Sequence, residues 1–181
     1  MLLITVPGVE AYDEEKEEFI QVEKEQTLQL EHSLVSLHKW ESKWCKAFLG
    51  RTEKTDEEML DYIKCMTITQ NVKSDVYNRL TTENVEQIRD YINAPMTATY
   101  FSDDKNSKGG REIVTAELIY YWMIALNIPF ECRKWHLNSL LTLVKVCNIK
   151  NSPPKKRSKK EIMSRNAAIN AARRKQLNTK G

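Results

Sequence analysis

The sequence predicts a mainly α, α+β fold: a helical core, a small N-terminal antiparallel β-hairpin or sheet packed on it, and a basic C-terminal helical tail. Three observations predict it. Near the N-terminus, short β-branched and apolar runs end in a segment that alternates with period two. From Ser33 onward the apolar positions recur every three to four residues, and the last thirty residues are densely basic. The implied divisions are 1–31, 32–151 and 152–181. The 181 residues are 41% hydrophobic and 29% charged, with five Gly and five Pro, which suits one core with an appendage, because a single core takes roughly 100–150 residues.

Leu2–Val6 and Glu18–Val22 are short, apolar or β-branched, and separated by a Pro-Gly and a charged connector, so they read as the two arms of a loose hairpin. Thr27-Leu28-Gln29-Leu30-Glu31 alternates and adds a third strand. A sheet this small is marginal alone, so one face must pack on helices.

After Ser33 the period changes. Leu34, Leu37, Trp40 (or Glu41), Trp44 and Phe48 form the stripe of an amphipathic helix, with Gly50 where a C-cap stands. Thr55-Asp56-Glu57-Glu58 has the form of a capping box and opens a second helix with buried Met59, Tyr62, Ile63 and Met66. Ser74–Tyr77 makes a brief helix. Thr82 caps another, with Val85, Ile88, Tyr91 and Ile92 on one side and Ala94-Pro95 beyond its end. Met96–Phe101 reads as extended, and Ser102–Gly110 as a loop. Thr115 caps the most apolar stretch, Ala116–Leu126, expected to be a buried central helix paired antiparallel with Trp135–Ile149. Pro153-Pro154 ends the core. Glu161–Leu177 is alanine-rich and has high helix propensity with little to bury.

Several function classes lose support from residue content. No apolar run approaches the roughly 20 residues of a membrane span, and the N-terminus lacks the basic region of a signal peptide, so a cytoplasmic protein with no membrane contact is expected. Cys45, Cys65, Cys132 and Cys147 form no CxxC pair and read as reduced thiols. Cys132 and His136 stand one helical turn apart, a spacing for two zinc ligands or a nucleophilic pair, but the candidates for further ligands, Cys45, Cys65, Cys147, His32 and His38, form no paired arrangement, and no family signature surrounds the pair. Glu57, Glu58 and Asp61 sit where acids complement a helix dipole, which outweighs an acid–base couple. Gly109-Gly110 is too short for a phosphate loop. Neither a catalytic set nor a cofactor is expected.

Charge is segregated. Glu10–Glu31 holds nine acids against two lysines, and Lys150–Gly181 holds eleven Lys and Arg against one acid, Glu161. The basic end is a solvated appendage, an arm for an acidic protein surface such as the hairpin of a neighbouring subunit, or a nucleic-acid contact, which the lack of interleaved aromatics makes non-specific. Trp40, Trp44, Trp122 and Trp135 are core residues first and interface anchors second.

Longer strings carry a resemblance. LQLEHSLVSLHKWESKWCKAF (28–48), DYIKCMTIT (61–69), NAPMTATYFS (93–102), ELIYYWMIALNIPFECRKWHLNSLLTLVKVCNIKN (117–151) and the ending SRNAAINAARRKQLNTKG together resemble the tail assembly chaperones of siphophages, over roughly Thr27–Gly181. The resemblance implies a protein of the host cytoplasm that binds the long helical tape measure protein, shields its apolar faces, helps tail tube subunits polymerise around it and leaves, without ATP or cofactor. No motif of the family assigns contact positions. The candidate partner-binding residues rest on physical grounds: Trp40, Trp44, Phe48 and Trp135 as anchors, and Lys155, Lys156, Arg157, Lys159, Lys160, Arg173 and Arg174 as the basic arm. The competing expectation is a virion component, a head-to-tail connector or tail completion protein, whose basic tail touches DNA or a neighbouring subunit; homo-oligomers fit either reading.

Overall fold

The computed structural model describes residues 1–13, 17–50, 52–101, 113–152 and 159–178. The fold is mainly helical with a small N-terminal antiparallel strand set. Strand β1 (Leu2–Val6) pairs with β4 (Gln26–Leu30), Leu2 opposite Leu30 and Val6 opposite Gln26. Strand β2 (Val9–Asp13) pairs with β3 (Glu18–Glu23), Val9 opposite Glu23 and Tyr12 opposite Phe19. The register of the first pair continues into the second across Pro7-Gly8, so the two sheets are the near and far halves of one long hairpin. This corrects the expected pairing of Leu2–Val6 with Glu18–Val22. The observed pairing buries Ile4, Val6, Leu28 and Leu30 on one face, at about 1.5–3 kcal/mol per side chain. Partner choice is a long-range burial decision that local alternation does not contain.

The outer edge of β4 is also used. Ile68 N–H donates to Gln29 O at 2.8 Å and Glu31 N–H to Met66 O at 2.9 Å, tying the strand to the chain leaving the second helix. On the other side, the Asn84 amide donates to Thr5 O at 3.3 Å, fixing the third helix against β1.

Helix α1 (Leu34–Trp44) starts in a capping box formed by Ser33 and Ser36. It ends at Cys45, whose left-handed backbone (φ 52°) closes the helix five residues before Gly50, the expected cap. Helix α2 (Asp56–Met66) carries the Thr55–Glu58 box that the sequence predicts. A 3-10 turn covers Ser74–Arg79, and α3 (Thr82–Asn93) is capped by Thr81, one residue before the expected Thr82. Helix α4 (Ala116–Ala125) is capped by Thr115. A second 3-10 turn, Phe130–Lys134, leads into α5 (Leu137–Asn151), which stops before the prolines, and α6 spans Lys159–Leu177.

The centre of the core is α1, which packs on both α2 and α4. Trp40, Tyr62, Leu37, Met66, Ile119, Met123, Leu137 and Leu140 are wholly or almost wholly buried. Two expectations about α4 need correction. It buries Ala116, Ile119 and Met123 but exposes Tyr121 and Ile124, so it is not buried all round, and its main helical partner is α1, not α5. Loss of polarity on a helix does not say which sides are covered.

The chain divides into two compact units, Met1–Asn148 and Ile149–Gly181. The second contains α6, whose side chains from Ile162 to Leu177 are exposed. The loop expected over Ser102–Gly110 lies outside the described residues. No helix among them is long and apolar enough to cross a membrane.

Candidate functional site

Two surfaces of the first unit are built for contact. The first is an open groove of about 700 Å³ between one side of α5 and the segment that follows α3. Helix α5 divides its labour: Leu137, Leu140 and Val144 point into the core, whereas Ser139, Thr142, Leu143 and Val146 line the groove at i, i+3, i+4 and i+7. Trp135 stands at the end of this row, 49% exposed, just ahead of the helix.

The opposite wall is pinned by α5 itself. The Asn138 amide donates to Ile92 O at 3.0 Å and Ala94 O at 2.8 Å, and the Ser139 hydroxyl donates to Met96 O. These bonds hold Met96 in the left-handed region (φ 46°), a conformation costly for a side chain of its kind, and leave Met96 half-exposed in the groove with Thr97 and Thr99. Lys145 lies over the Phe101 ring at 4.1 Å, securing the far end. The result is a preformed open groove lined by the Trp135 indole, the Met96 thioether, Leu143 and Val146.

The second surface is the far half of the hairpin, β2–β3, whose side chains are exposed or half-buried. Tyr12 and Phe19 face each other across the strands in an edge-to-face pair, centroids 5.2 Å apart, and Phe19 is 72% exposed. Its attachment is firm. Arg79 donates to Pro7 O at 2.8 Å and pairs with Glu23 at 2.7 Å, clamping the bend from both strands. A Cβ on Gly8 would stand 2.6 Å from Glu23 O, so the strands approach there closely enough to require glycine.

The tryptophans named from the sequence separate. Trp40 is 0% exposed and its indole donates to Glu58 O at 2.8 Å; Phe48 is buried against Trp40 and Tyr62. Both are held inside the fold, which corrects their assignment as partner anchors. Trp44 is half-buried, with its indole donating to Asp61 at 2.9 Å, while Lys43 pairs with the same carboxylate and Lys46 with Glu58. The hydrogen bond from Lys46, with that from Thr55 N–H, holds the Glu58 carboxyl below its usual range; for Asp61 burial is the largest single effect and raises it, but the hydrogen bonds from Lys43 and Trp44 together with the charges of Lys43 and Lys64 leave it lowered. The acids at the start of α2 thus fasten α1 to α2. Of the four aromatic anchors, Trp135 is the one that lines the α5 groove. Arg173 and Arg174 are exposed on α6; Lys159 and Lys160 lie in the same helix, and Lys155, Lys156 and Arg157 fall outside the described residues.

The reactive groups are engaged structurally. His136 accepts from Asn138 N–H through Nδ1 at 3.3 Å and donates from Nε2 to Tyr91 O at 2.9 Å, so both ring nitrogens serve the backbone. Burial pushes the Cys132 thiol up, away from thiolate, and no group of three metal-ligating side chains occurs among the described residues. His32 sits beside Tyr62 Oη at 2.6 Å and edge-on to His136, and burial together with His136 lowers it to about 4. Glu41 was legible only as an alternative to Trp40 in the helical stripe. It is buried, its two oxygens accepting from Phe48 N–H at 2.8 Å and Ala116 N–H at 2.7 Å. It joins the loop after α1 to the positive end of α4.

Comparison with protein-family models, curated proteins and solved structures finds no match to this chain.

Proposed function

We propose that this protein is a non-catalytic tail assembly chaperone of a long-tailed bacteriophage, acting stoichiometrically in the host cytoplasm. It receives an amphipathic helix of the tape measure protein in the α5 groove, covers the apolar stripe, and yields it to tail tube subunits. The observation that carries this reading is the groove with its half-exposed Trp135. Two of the strings that carry the family resemblance contribute to its two walls, one through Met96, Thr97 and Thr99 and the other through residues from Lys134 to Val146. A row at i, i+3, i+4 and i+7 complements a partner helix bearing the same periodicity. Binding that holds a client before assembly works by mass action and requires no reacting group.

The test is co-expression with the tape measure protein and recovery of the complex. Wild type retrieves it, and Trp135→Ala combined with Leu143→Asp reduces recovery at least about tenfold, the loss of about 1.4 kcal/mol or more expected from an aromatic anchor. Equal recovery by wild type and the double variant sinks the groove as the client site.

The exposed basic helix α6 favours a second reading, a head-to-tail connector or completion protein that keeps this helix on DNA or a neighbouring subunit. Mass spectrometry of purified virions separates the two: a fixed copy number supports the connector, and absence supports the chaperone.

A further inference from the structure

We propose that the exposed ribbon β2–β3 is the docking site for the basic helix α6 of a second copy of this chain, giving a dimer with two equivalent ribbon–helix contacts. The inference uses surfaces separate from the α5 groove and goes beyond the chaperone reading.

Each surface is incomplete alone. A two-stranded ribbon with no packed face is marginal in water, yet β2–β3 extends beyond the buried half of the hairpin with Tyr12 and Phe19 in solvent. Alternation along the strands places Glu10, Tyr12, Phe19 and Gln21 on one face, acid and aromatic side by side. Helix α6 is equally unsupported: nineteen residues with all described side chains exposed. At 100° per residue, Ile162, Ile169 and Leu177 fall within one arc, and Arg173 falls in the same arc. This mixed apolar and cationic stripe matches the mixed apolar and acidic face of the ribbon.

Charge selects the pairing. The hairpin region holds nine acids against two lysines, and the C-terminal segment eleven cations against one acid, so each is the strongest complement the other finds within the sequence. Arginine next to exposed Tyr12 and Phe19 adds cation–π contact. Each copy carries one of each surface, which is the requirement for a closed two-fold pair. The Arg79 clamp and the Gly8 approach hold the ribbon in a fixed direction, so less order is lost on docking.

The experiment is sedimentation of the full chain and two charge-reversed variants, singly and mixed. One variant carries Glu10→Lys, Glu17→Lys, Glu18→Lys and Glu25→Lys; the other carries Arg165→Glu, Arg173→Glu, Arg174→Glu and Lys175→Glu. All eight positions are exposed, so circular dichroism should show an unchanged fold. Wild type is expected to be dimeric at about 0.1 M salt and to dissociate towards 1 M, as the screening length falls from about 10 Å to about 3 Å. Each variant alone is expected to associate at least about tenfold more weakly, and an equimolar mixture to form a one-to-one complex, because it restores one native ribbon–helix contact. Three results would overturn the proposal: a monomeric wild type, a dimer that survives in both variants, or an equimolar mixture of the two variants that stays monomeric.

Discussion

Glu41 shows how a single side chain is held to a structural task. Its carboxylate is out of water, and each oxygen takes a backbone N–H that would otherwise be buried without a partner, one after α1 and one at the first turn of α4. Glu41→Ala strands both donors and is expected to lower unfolding free energy by about 2–5 kcal/mol, measured by urea titration. Glu41→Gln keeps one acceptor oxygen and should lose roughly half as much. A loss below about 1 kcal/mol in the alanine variant would mean that the two amides find other partners. His32 gives a pH prediction. Its folded-state value, about 4, lies below the ordinary 6.5, so between these limits the unfolded chain binds the proton and the folded chain does not. The associated stability is complete above pH 6.5 and is lost as pH falls to about 4, by up to about 3 kcal/mol. Burial lowers His136 in the same sense, whereas the carboxyls of Glu58 and Asp61 act in a more acid window, below their own ordinary values. His32→Gln should flatten the urea midpoint between pH 6.5 and 4, and an unchanged slope would assign the effect elsewhere. Neither residue announced its role in the sequence, because a histidine ahead of a helix, or a glutamate at helical spacing within one, looks the same whether it faces water or the interior.

Secondary-structure elements were more legible where the signal is local. The Thr55–Glu58 box and the Thr115 cap are where the sequence predicts them, since a cap depends on residues within one turn of itself. Strand pairing was not legible. Val9–Asp13 alternates too weakly to be seen as a strand, and what makes it one is continuation of the β1–β4 register past the bend at Pro7-Gly8. That continuation depends on Gly8. In Gly8→Ala the new methyl meets Glu23 O, so the strands must part at the bend. Amide exchange in β2–β3 is expected to accelerate at least about tenfold, while β1–β4, with Ile4 and Leu28 buried beneath it, keeps its protection. Equal protection in both halves would show that the bend relaxes without opening the ribbon. The groove was half legible: Trp135 could be picked out as an anchor, but its difference from Trp40 arises because α5 begins after it and turns a second row of side chains outward, a matter of where helices start.

At the scale of the whole molecule, composition marked the division between a core and a basic end, and the buried cluster from Ile4 to Val144 lies entirely within Met1–Asn148. A core that draws no buried apolar residue from the described part of the C-terminal unit should not depend on it. Removing Lys155–Gly181 takes away ten of the chain's 28 Lys and Arg and the whole of α6 while leaving α5 intact to Asn151. At about 0.5 M salt, where the proposed contact between copies is screened, the thermal midpoint of the shortened chain is expected within about 2 °C of wild type, less than 1 kcal/mol would produce. At low salt the midpoint of the full chain should rise with protein concentration and that of the shortened chain should not, because only the former gains stability by association. A midpoint that drops by many degrees at high salt would mean that the C-terminal helix belongs to the core. A full chain indifferent to concentration at low salt would instead remove the second copy while leaving the core assignment intact. The two halves of this measurement therefore fail separately, one testing how the chain is divided and the other what its two charged surfaces are for.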